Sequence, residues 1–225
     1  MSATGDGAVL TAAVLAGGQS RRMGTDKALL PLVPGGPPLL RLVLDRVAAV
    51  TDDVLVVASG RPGYDAFGVP VVPDRFPDGG TLGGIATAIG AAGGAHVLVV
   101  ACDMPFLSAA LLRWMAGRPR DYDVLVPRLP GESRQGSGFV YQTLHAIYGM
   151  HCLAPIERRL VRGQRQVIGF FEEVRVQSFG LEEVRRFDPD LRSFFNANTP
   201  EAAAEARRLL TEGEEASGST AGSAS

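Results

Sequence analysis

Residues 15–27 hold a glycine pair and three cations, whose types and spacing could bind a polyphosphate. The apolar run of residues 9–16 ends at a glycine pair, Gly17 and Gly18. The cations follow that pair: Arg21, Arg22 and Lys27. Glycine lets a backbone turn sharply and approach a ligand, so backbone amides and side-chain cations can converge there on phosphate oxygens. We therefore expect a nucleoside triphosphate site; the alternative is an ordinary glycine turn with solvated charges.

A second candidate is the carboxylate of Asp103, which follows the apolar run of residues 95–101. Because Pro105 ends strand pairing just after it, Asp103 is expected at the carboxyl end of a buried strand. Mg²⁺ takes oxygen ligands and commonly uses one or two carboxylates beside water and substrate phosphates. Asp103 could instead cap the next helix, but Ser108 is the better placed cap. The residues therefore predict an Mg²⁺ site at Asp103.

Other candidate residues carry weaker signals. Residues 74–84 combine carboxylates with two glycine pairs, which suits close approach to a sugar or base, with Asp74 and Gly80 as candidates. Taken alone, this segment is more typical of a turn in which Asp74 acts as a cap. Residues 128–138, rich in Arg, Gly and Ser, are equally typical of a binding loop and of a solvated surface loop. His145 lies among apolar residues with no Ser or Cys partner at motif spacing, so we expect a structural role.

Alternating strands and helices must position these residues. Continuous apolar runs predict strands: residues 9–16, 53–58, 69–73, 95–101 and 122–126, with an edge strand at 174–179. Helical spacing, small residues and caps predict helices: residues 39–50, 84–92, 107–115, 152–162 and 201–210. Thr199 is the expected cap of the last helix, with Pro200 at its first position. This alternation predicts a three-layer, Rossmann-like α/β fold with a mostly parallel sheet and ligands at the carboxyl ends of its strands.

Length, charge and cysteine content narrow the function classes. The 225 residues, 46% hydrophobic and 20% charged, suit one domain over residues 1–211, and the Gly- and Ser-rich tail at 212–225 is expected to be disordered. A net charge of -2 gives no general attraction to nucleic acid, so we expect small-molecule partners. No apolar run reaches transmembrane length and the start lacks a secretory pattern, so no membrane contact is expected. Cys102 and Cys152 form no C-x-x-C pair, and the cytoplasm is the expected location.

Four segments of the chain together resemble the molybdenum cofactor guanylyltransferases. Residues 15–27 match that family's signature L-A-G-G-x-S-x-R-M-G-x-D-K at every specified position. Residues 102–106 match C-D-x-P-F, and residues 196–201 match N-x-N-T-P-E. Residues 80–84 match G-P-L-A-G imperfectly, since a threonine and a glycine replace the usual proline and alanine, which we expect to loosen a turn. The resemblance covers residues 9–211 and implies a nucleotidyltransferase fold.

The resemblance implies Mg²⁺-dependent transfer of GMP from GTP to the terminal phosphate of the molybdopterin cofactor, with release of pyrophosphate. It implies nucleotide contacts at six residues: Leu15, Ala16, Gly17, Lys27, Asp74 and Asp103. Of these, Lys27 and Asp103 are the implied catalytic residues, and Asp103 is the implied metal ligand. The loop compositions described above add three nucleotide-binding candidates: Gly18, Arg22 and Gly80. Asn196 and Asn198 are the implied pterin contacts, although asparagines can also simply hold a turn before a helix. The family often has an asparagine near the nucleotide where this chain has Ala58.

Two alternatives remain open. A molybdopterin cytidylyltransferase, or another nucleotidyltransferase acting on a phosphorylated sugar or alcohol, would use similar loops, and only resemblance favours guanylyl transfer. A non-catalytic nucleotide-binding or cofactor-handover protein on the same fold is less consistent with the presence of both Lys27 and Asp103. Molybdenum-insertion proteins or molybdoenzyme chaperones are the protein partners that the resemblance suggests.

Overall fold

A computed structural model describes residues 10–16, 26–58, 62–133 and 136–221 of the chain. Its strands are β1 (Leu10–Leu15), β2 (Val54–Val57), β3 (Val71–Val72), β4 (His96–Ala101), β5 (Val124–Pro130), β6 (Phe139–Tyr141), β7 (His145–Gly149) and β8 (Val176–Phe179). Its α-helices are α1 (Leu39–Ala48), α2 (Gly80–Ala91), α3 (Ala109–Ala116), α4 (Leu153–Val161), α5 (Leu181–Arg185) and α6 (Pro200–Ala221).

These strands form one sheet in the order β3-β2-β1-β4-β7-β5-β6, and β8 pairs with β5. Strand β1 pairs in parallel with both neighbours, so Leu15 lies opposite Val57 on one side and Ala101 on the other. Strand β7 is antiparallel to β4 and β5, because β5, β6 and β7 follow one another through connections too short for a crossover. The half of the sheet that contains β1 and β4 is therefore parallel, as predicted, and the half beyond β4 is mixed.

Apolar layers cover both faces of this sheet, which confirms the three-layer architecture. Successive residues of β1 point to opposite faces. Val14 accordingly packs in the layer that contains Leu40 of α1 and Leu111 of α3. Leu15 packs in the opposite layer, which contains Ile85 of α2. Because both faces are covered, the carboxyl ends of β1 and β4 remain the place at which loops can build a site.

Helix α2 begins at Gly80, earlier than the start at Gly84 that the sequence predicts. The glycine-rich end of the expected loop is therefore helical. An ideal Cβ built on Gly83 would lie 2.5 Å from the carbonyl oxygen of Phe76, so glycine at this position allows the helix to lie close to the preceding loop. The expectation that glycine loosens a turn here is wrong, because Gly83 is buried inside α2.

Strand β5 is longer than predicted and shortens the expected loop at residues 128–138. Arg128 belongs to β5 and pairs with Tyr141 of β6 across an antiparallel ladder. Its guanidinium also lies over the ring of Phe139, 5.3 Å from the ring centroid. The start of that expected loop is therefore an ordered hairpin.

Helix α6 begins as the sequence predicts, since the Thr199 hydroxyl accepts a hydrogen bond from the Ala202 amide at 3.1 Å. It continues to Ala221, past the expected end at residue 210. The boundary at residue 211 between the domain and its tail stays a prediction. Among the residues described, no helix is both long and apolar enough to span a membrane.

Candidate active site

The carboxyl ends of β1 and β4 bring two candidate segments together. The Cys102 amide donates to the Leu15 carbonyl oxygen at 3.1 Å, so the two strands end side by side. Ala16 continues the line of β1, because its amide donates to the Val57 carbonyl oxygen at 2.9 Å. Asp103 therefore follows β4 at the edge where the glycine-rich segment leaves β1. The predicted position of Asp103 at a strand's carboxyl end is confirmed.

Lys27 begins a short 3₁₀ turn that Asp26 caps. The Oδ1 atom of Asp26 accepts a hydrogen bond from the Ala28 amide at 3.2 Å, and the Ala28 side chain is buried in the core. The Lys27 ammonium donates to the carbonyl oxygen of Asn198 at 2.8 Å. Lys27 is therefore held at both its backbone and its charged end.

Asp103 combines a buried carboxylate oxygen with a nearby cation. Burial raises the pKa of Asp103, while a backbone hydrogen bond and the charge of Lys27 act in the opposite direction. Its Oδ1 atom is buried and has no hydrogen-bond partner within the described ranges. A buried carboxylate oxygen without a partner is unfavourable, and a divalent cation would satisfy it.

Any metal at Asp103 would need ligands from outside the protein side chains that are described. Those side chains include no group of three or more His, Cys, Asp or Glu residues that could hold a metal ion. Mg²⁺ commonly keeps several waters and binds substrate phosphates beside one or two carboxylates. The single carboxylate of Asp103 fits this kind of metal site.

The segment around Ala197 lies between Asp103 and Lys27. The Ala197 amide donates to the Asp103 carbonyl oxygen at 2.8 Å, and the next carbonyl oxygen along the chain accepts from Lys27. Phe195 anchors the segment, since its ring packs edge-on against Phe106 with the ring centroids 5.7 Å apart. Backbone contacts thus join three parts of the chain that are far apart in the sequence.

The side chains of Asn196 and Asn198 are exposed beside this junction. Asn196 donates from Nδ2 to the Phe194 carbonyl oxygen at 3.1 Å, which agrees with the turn-holding alternative. Sequence reasoning treats this motif as separate from the nucleotide loop because of its distance along the chain. The structure instead places its backbone in contact with Lys27 and Asp103.

Comparison with known proteins identifies the family. A family profile described as MobA-like NTP transferase domain matches residues 12–176. The chain belongs to the MobA-like NTP transferase family. It is 38% identical over 197 residues to a probable molybdenum cofactor guanylyltransferase of Pelotomaculum thermopropionicum, which covers 88% of this chain and 91% of that protein.

Two further MobA-like relatives agree with this assignment. The molybdenum cofactor guanylyltransferase of Desulfosudis oleivorans is 33% identical over 205 residues, which covers 91% of this chain and 97% of that protein. The crystal structure of molybdopterin-guanine dinucleotide biosynthesis protein A from Archaeoglobus fulgidus superposes with a TM-score of 0.73 at 26% identity, over 90% of this chain and 99% of that one. The chain is therefore a nucleotidyltransferase, and the predicted family and fold class are confirmed.

In this MobA-like chain, Asp74 and Gly80 lie where β3 leads into α2. Asp74 Oδ1 accepts from the Phe76 amide and from the Thr87 hydroxyl, each at 2.9 Å. These bonds tie the loop to α2 and agree with the turn-capping alternative. Gly80 has a φ of 59°, which suits glycine at the first residue of the helix. A contact of Asp74 or Gly80 with the nucleotide stays a prediction.

Some predicted residues of the MobA-like signature lie outside the described part of the chain. They are Gly17, Gly18 and Arg22.

At Ala58, where the family often has an asparagine, the methyl side chain is buried in the core. An alanine cannot supply the amide contact that the resemblance implies at this position.

Sequence reasoning misses the contacts that Tyr64 makes with the residues of the signature. Its hydroxyl contacts Asp26, directly before Lys27, and the carbonyl oxygen of Ala16. Tyr64 lies in a Gly- and Pro-rich connection that has no periodicity, so no sequence signal marks it.

Two other titratable side chains, Cys102 and His145, are surrounded in ways that suit a structural role. Burial, together with the charges of Asp103 and Asp26, raises the pKa of the Cys102 thiol, so Cys102 is not an activated nucleophile. Burial lowers the pKa of His145 to about 3, and the ring packs against Phe194 with centroids 4.9 Å apart. The surroundings of His145 agree with the structural role that the sequence predicts.

Proposed function

We propose that this MobA-like protein transfers GMP from GTP to the terminal phosphate of the molybdopterin cofactor, giving the guanine dinucleotide form and pyrophosphate. The observation that carries the proposal is the junction in which the Ala197–Asn198 backbone contacts both Asp103 and Lys27. Three segments that carry the family resemblance meet there. The names of these relatives, which describe guanylyl transfer and the molybdenum cofactor, support this choice of substrates.

The reaction that we propose needs positioning and charge more than a protein base. A phosphate nucleophile is already ionised at neutral pH, so no side chain has to remove a proton from it. His145 stays neutral in the folded protein and is not required as a base. Lys27 offsets the charge of the triphosphate, and its turn and its contact with Asn198 limit the positions it can take.

We also propose Asp103 as the residue that holds Mg²⁺. Its buried Oδ1, which has no partner in the described ranges, suits a hard cation that prefers oxygen ligands. When bound there, Mg²⁺ offsets charge on phosphate oxygens. The Ala197 amide holds the Asp103 backbone, and Lys27 adds a cation to the same corner.

The pterin substrate is assigned to the exposed amides of Asn196 and Asn198. Neutral amides supply both donors and acceptors, which suits the edge of a pterin ring. Their backbone contacts with the catalytic pair support this assignment, because the two substrates must meet at one phosphorus atom. Molybdenum-insertion proteins or molybdoenzyme chaperones are proposed as the partners that handle the cofactor.

The test is a pyrophosphate-release assay with the purified full chain, Mg²⁺, molybdopterin cofactor and either GTP or CTP. We expect release with GTP and none with CTP. The matched inactive control is Lys27→Ala, which removes one charge-assisted phosphate contact worth about 2–4 kcal/mol of transition-state stabilisation. Release with CTP alone would favour the cytidylyltransferase alternative, and no release with either would favour a non-catalytic binding protein.

A further inference from the structure

One buried hydroxyl contacts the residues on both sides of the segment at 17–25. The side chain of Tyr64 is 1% exposed. Its hydroxyl donates to Asp26 Oδ2 at 2.8 Å, and the carbonyl oxygen of Ala16 lies 3.3 Å from the same hydroxyl. Ala16 follows β1, and Asp26 directly precedes Lys27. Tyr64 therefore fixes the spacing between the end of the strand and the start of the lysine turn.

Asp26 connects this hydroxyl to Lys27. One carboxylate oxygen, Oδ2, accepts from Tyr64, while the other, Oδ1, accepts from the Ala28 amide at 3.2 Å. The Asp26 carbonyl oxygen accepts from the Leu29 amide at 3.0 Å, which completes the turn. A change in the orientation of the Asp26 carboxylate would therefore alter the turn that carries Lys27.

Tyr64 is itself held in place by the connection between β2 and β3. Gly63 has a φ of 102°, and an ideal Cβ there would lie 3.0 Å from Leu29 Cδ1, so this connection packs closely on the lysine turn. The Phe67 amide donates to the Tyr64 carbonyl oxygen at 3.1 Å. Arg41 in α1 donates to the Phe67 carbonyl oxygen at 2.8 Å. The hydroxyl is thus presented from a supported position.

We propose that Tyr64 is a positioning residue for nucleotide binding, acting through Asp26 on Lys27 and through the backbone at Ala16. The inference rests on the proposed function, because it gives Lys27 a nucleotide phosphate to bind. A lysine that is already held in one place loses less conformational entropy when it binds a phosphate. A fixed Ala16 keeps the end of β1 at a constant position relative to Lys27. The Tyr64 ring packs in the hydrophobic core, and the hydroxyl positions Asp26 and Ala16.

The test compares two Tyr→Phe variants that each remove one buried hydroxyl. Tyr148 is the matched control, since it is 0% exposed and its hydroxyl donates to the Thr143 carbonyl oxygen at 2.7 Å, in the opposite core layer. We expect Tyr64→Phe to lower kcat/KM for GTP about tenfold, the effect of losing one hydrogen bond to a charged group. Tyr148→Phe should keep kcat/KM within about twofold of the wild type, with a similar change in melting temperature.

A loss of kcat/KM in Tyr148→Phe equal to that in Tyr64→Phe would overturn the inference, because the effect would then be one of general stability. A Tyr64→Phe variant with wild-type kcat/KM would overturn it as well. Asp26→Asn supplies a second variant, which keeps the shape of the side chain and removes its charge. If Tyr64 acts through Asp26, the variant that combines Tyr64→Phe with Asp26→Asn should have a kcat/KM for GTP within about twofold of that of the less active single variant. Full additivity of the two losses would contradict the coupling.

The wild-type protein separates this inference from the proposed function. Wild type that releases no pyrophosphate from GTP would refute the proposed function. The inference is then decided by titrating GTP into the wild type and both Tyr→Phe variants. Weaker GTP binding by Tyr64→Phe alone would support it, and equal affinities, including no binding by any of the three, would overturn it.

Discussion

Gly83→Ala should destabilise the protein, although alanine is the better helix former. In a helix interior alanine is favoured over glycine by about 1 kcal/mol. At Gly83, however, an ideal Cβ would lie 2.5 Å from the Phe76 carbonyl oxygen and 2.9 Å from the Phe76 Cβ, where ordinary contacts are 3.4–4 Å. Overpacking costs about 1–3 kcal/mol, and a backbone carbonyl cannot rotate away as a side chain can. Because the clash is with backbone, we take the upper end of this range; after subtraction of the helix preference, the expected net loss in the free energy of unfolding is about 2 kcal/mol.

Gly90→Ala in the same helix is the matched control. An ideal Cβ at Gly90 would lie 2.8 Å from Arg75 Nη1, which is the far end of a flexible side chain. Arg75 can move away at the cost of its exposed ion pair with Glu157, whose charged atoms are 3.8 Å apart. Exposed pairs of this kind contribute little to stability. Gly90→Ala should therefore be neutral, or stabilised by up to about 1 kcal/mol.

Urea unfolding of both variants measures the two effects together. The account predicts that the unfolding free energies of the two variants differ by about 2 kcal/mol or more, with Gly83→Ala the less stable. Each kcal/mol corresponds to about 2–4 °C in melting temperature for a chain of this size. A Gly83→Ala variant at least as stable as the wild type would refute the packing argument.

Three further predictions concern the site and the core. Asp103→Asn should abolish nucleotidyl transfer with no loss of folded structure, because the amide keeps the shape but is a poorer ligand for a hard cation; normal turnover at limiting Mg²⁺ would contradict the metal assignment. Asn196→Ala with Asn198→Ala should weaken molybdopterin binding more than GTP binding in separate titrations; equal losses, or a large fall in melting temperature, would leave the asparagines a structural role. Burial lowers the pKa of His145 from 6.5 to about 3. Below pH 6.5 the unfolded chain therefore binds a proton at His145 that the folded chain does not bind. Between about pH 7 and about pH 5 the wild type should therefore lose about 2 kcal/mol more unfolding free energy than His145→Leu, and parallel losses in urea titrations would contradict this.

The order of strands and helices could be predicted because this chain buries continuous apolar runs. β1 and β4 are apolar except for Thr11 and His96. The residues that follow them, Ala16 and Asp103, had to lie at one edge once the strands were parallel. The start of a helix could also be predicted where the sequence contains a capping residue. Ser108 accepts from the Leu111 amide at 3.2 Å, as its position before α3 predicts.

Features that depend on distant contacts could not be predicted in the same way. Glycines at the start of α2 look like turn residues, and only the close approach of Phe76 shows why a helix has glycine at position 83. The antiparallel place of β7 depends on which neighbours it joins, and alternation along the chain does not specify them. The contact of Ala197 with Asp103 joins segments that no local pattern relates. For that reason the sequence separated the motif around Ala197 from the nucleotide loop, and the structure brings the two together.

The central claim is guanylyl transfer to the molybdopterin cofactor at the corner formed by Lys27, Asp103 and the segment around Ala197. Mass spectrometry of the products tests it most directly, with wild-type protein, Mg²⁺, molybdopterin cofactor, and GTP and CTP present at equal concentration in one reaction. The account predicts the guanine dinucleotide cofactor as the product, with pyrophosphate formed in equal amount. A cytosine dinucleotide cofactor as the sole product, or unchanged molybdopterin cofactor beside intact GTP, would contradict it.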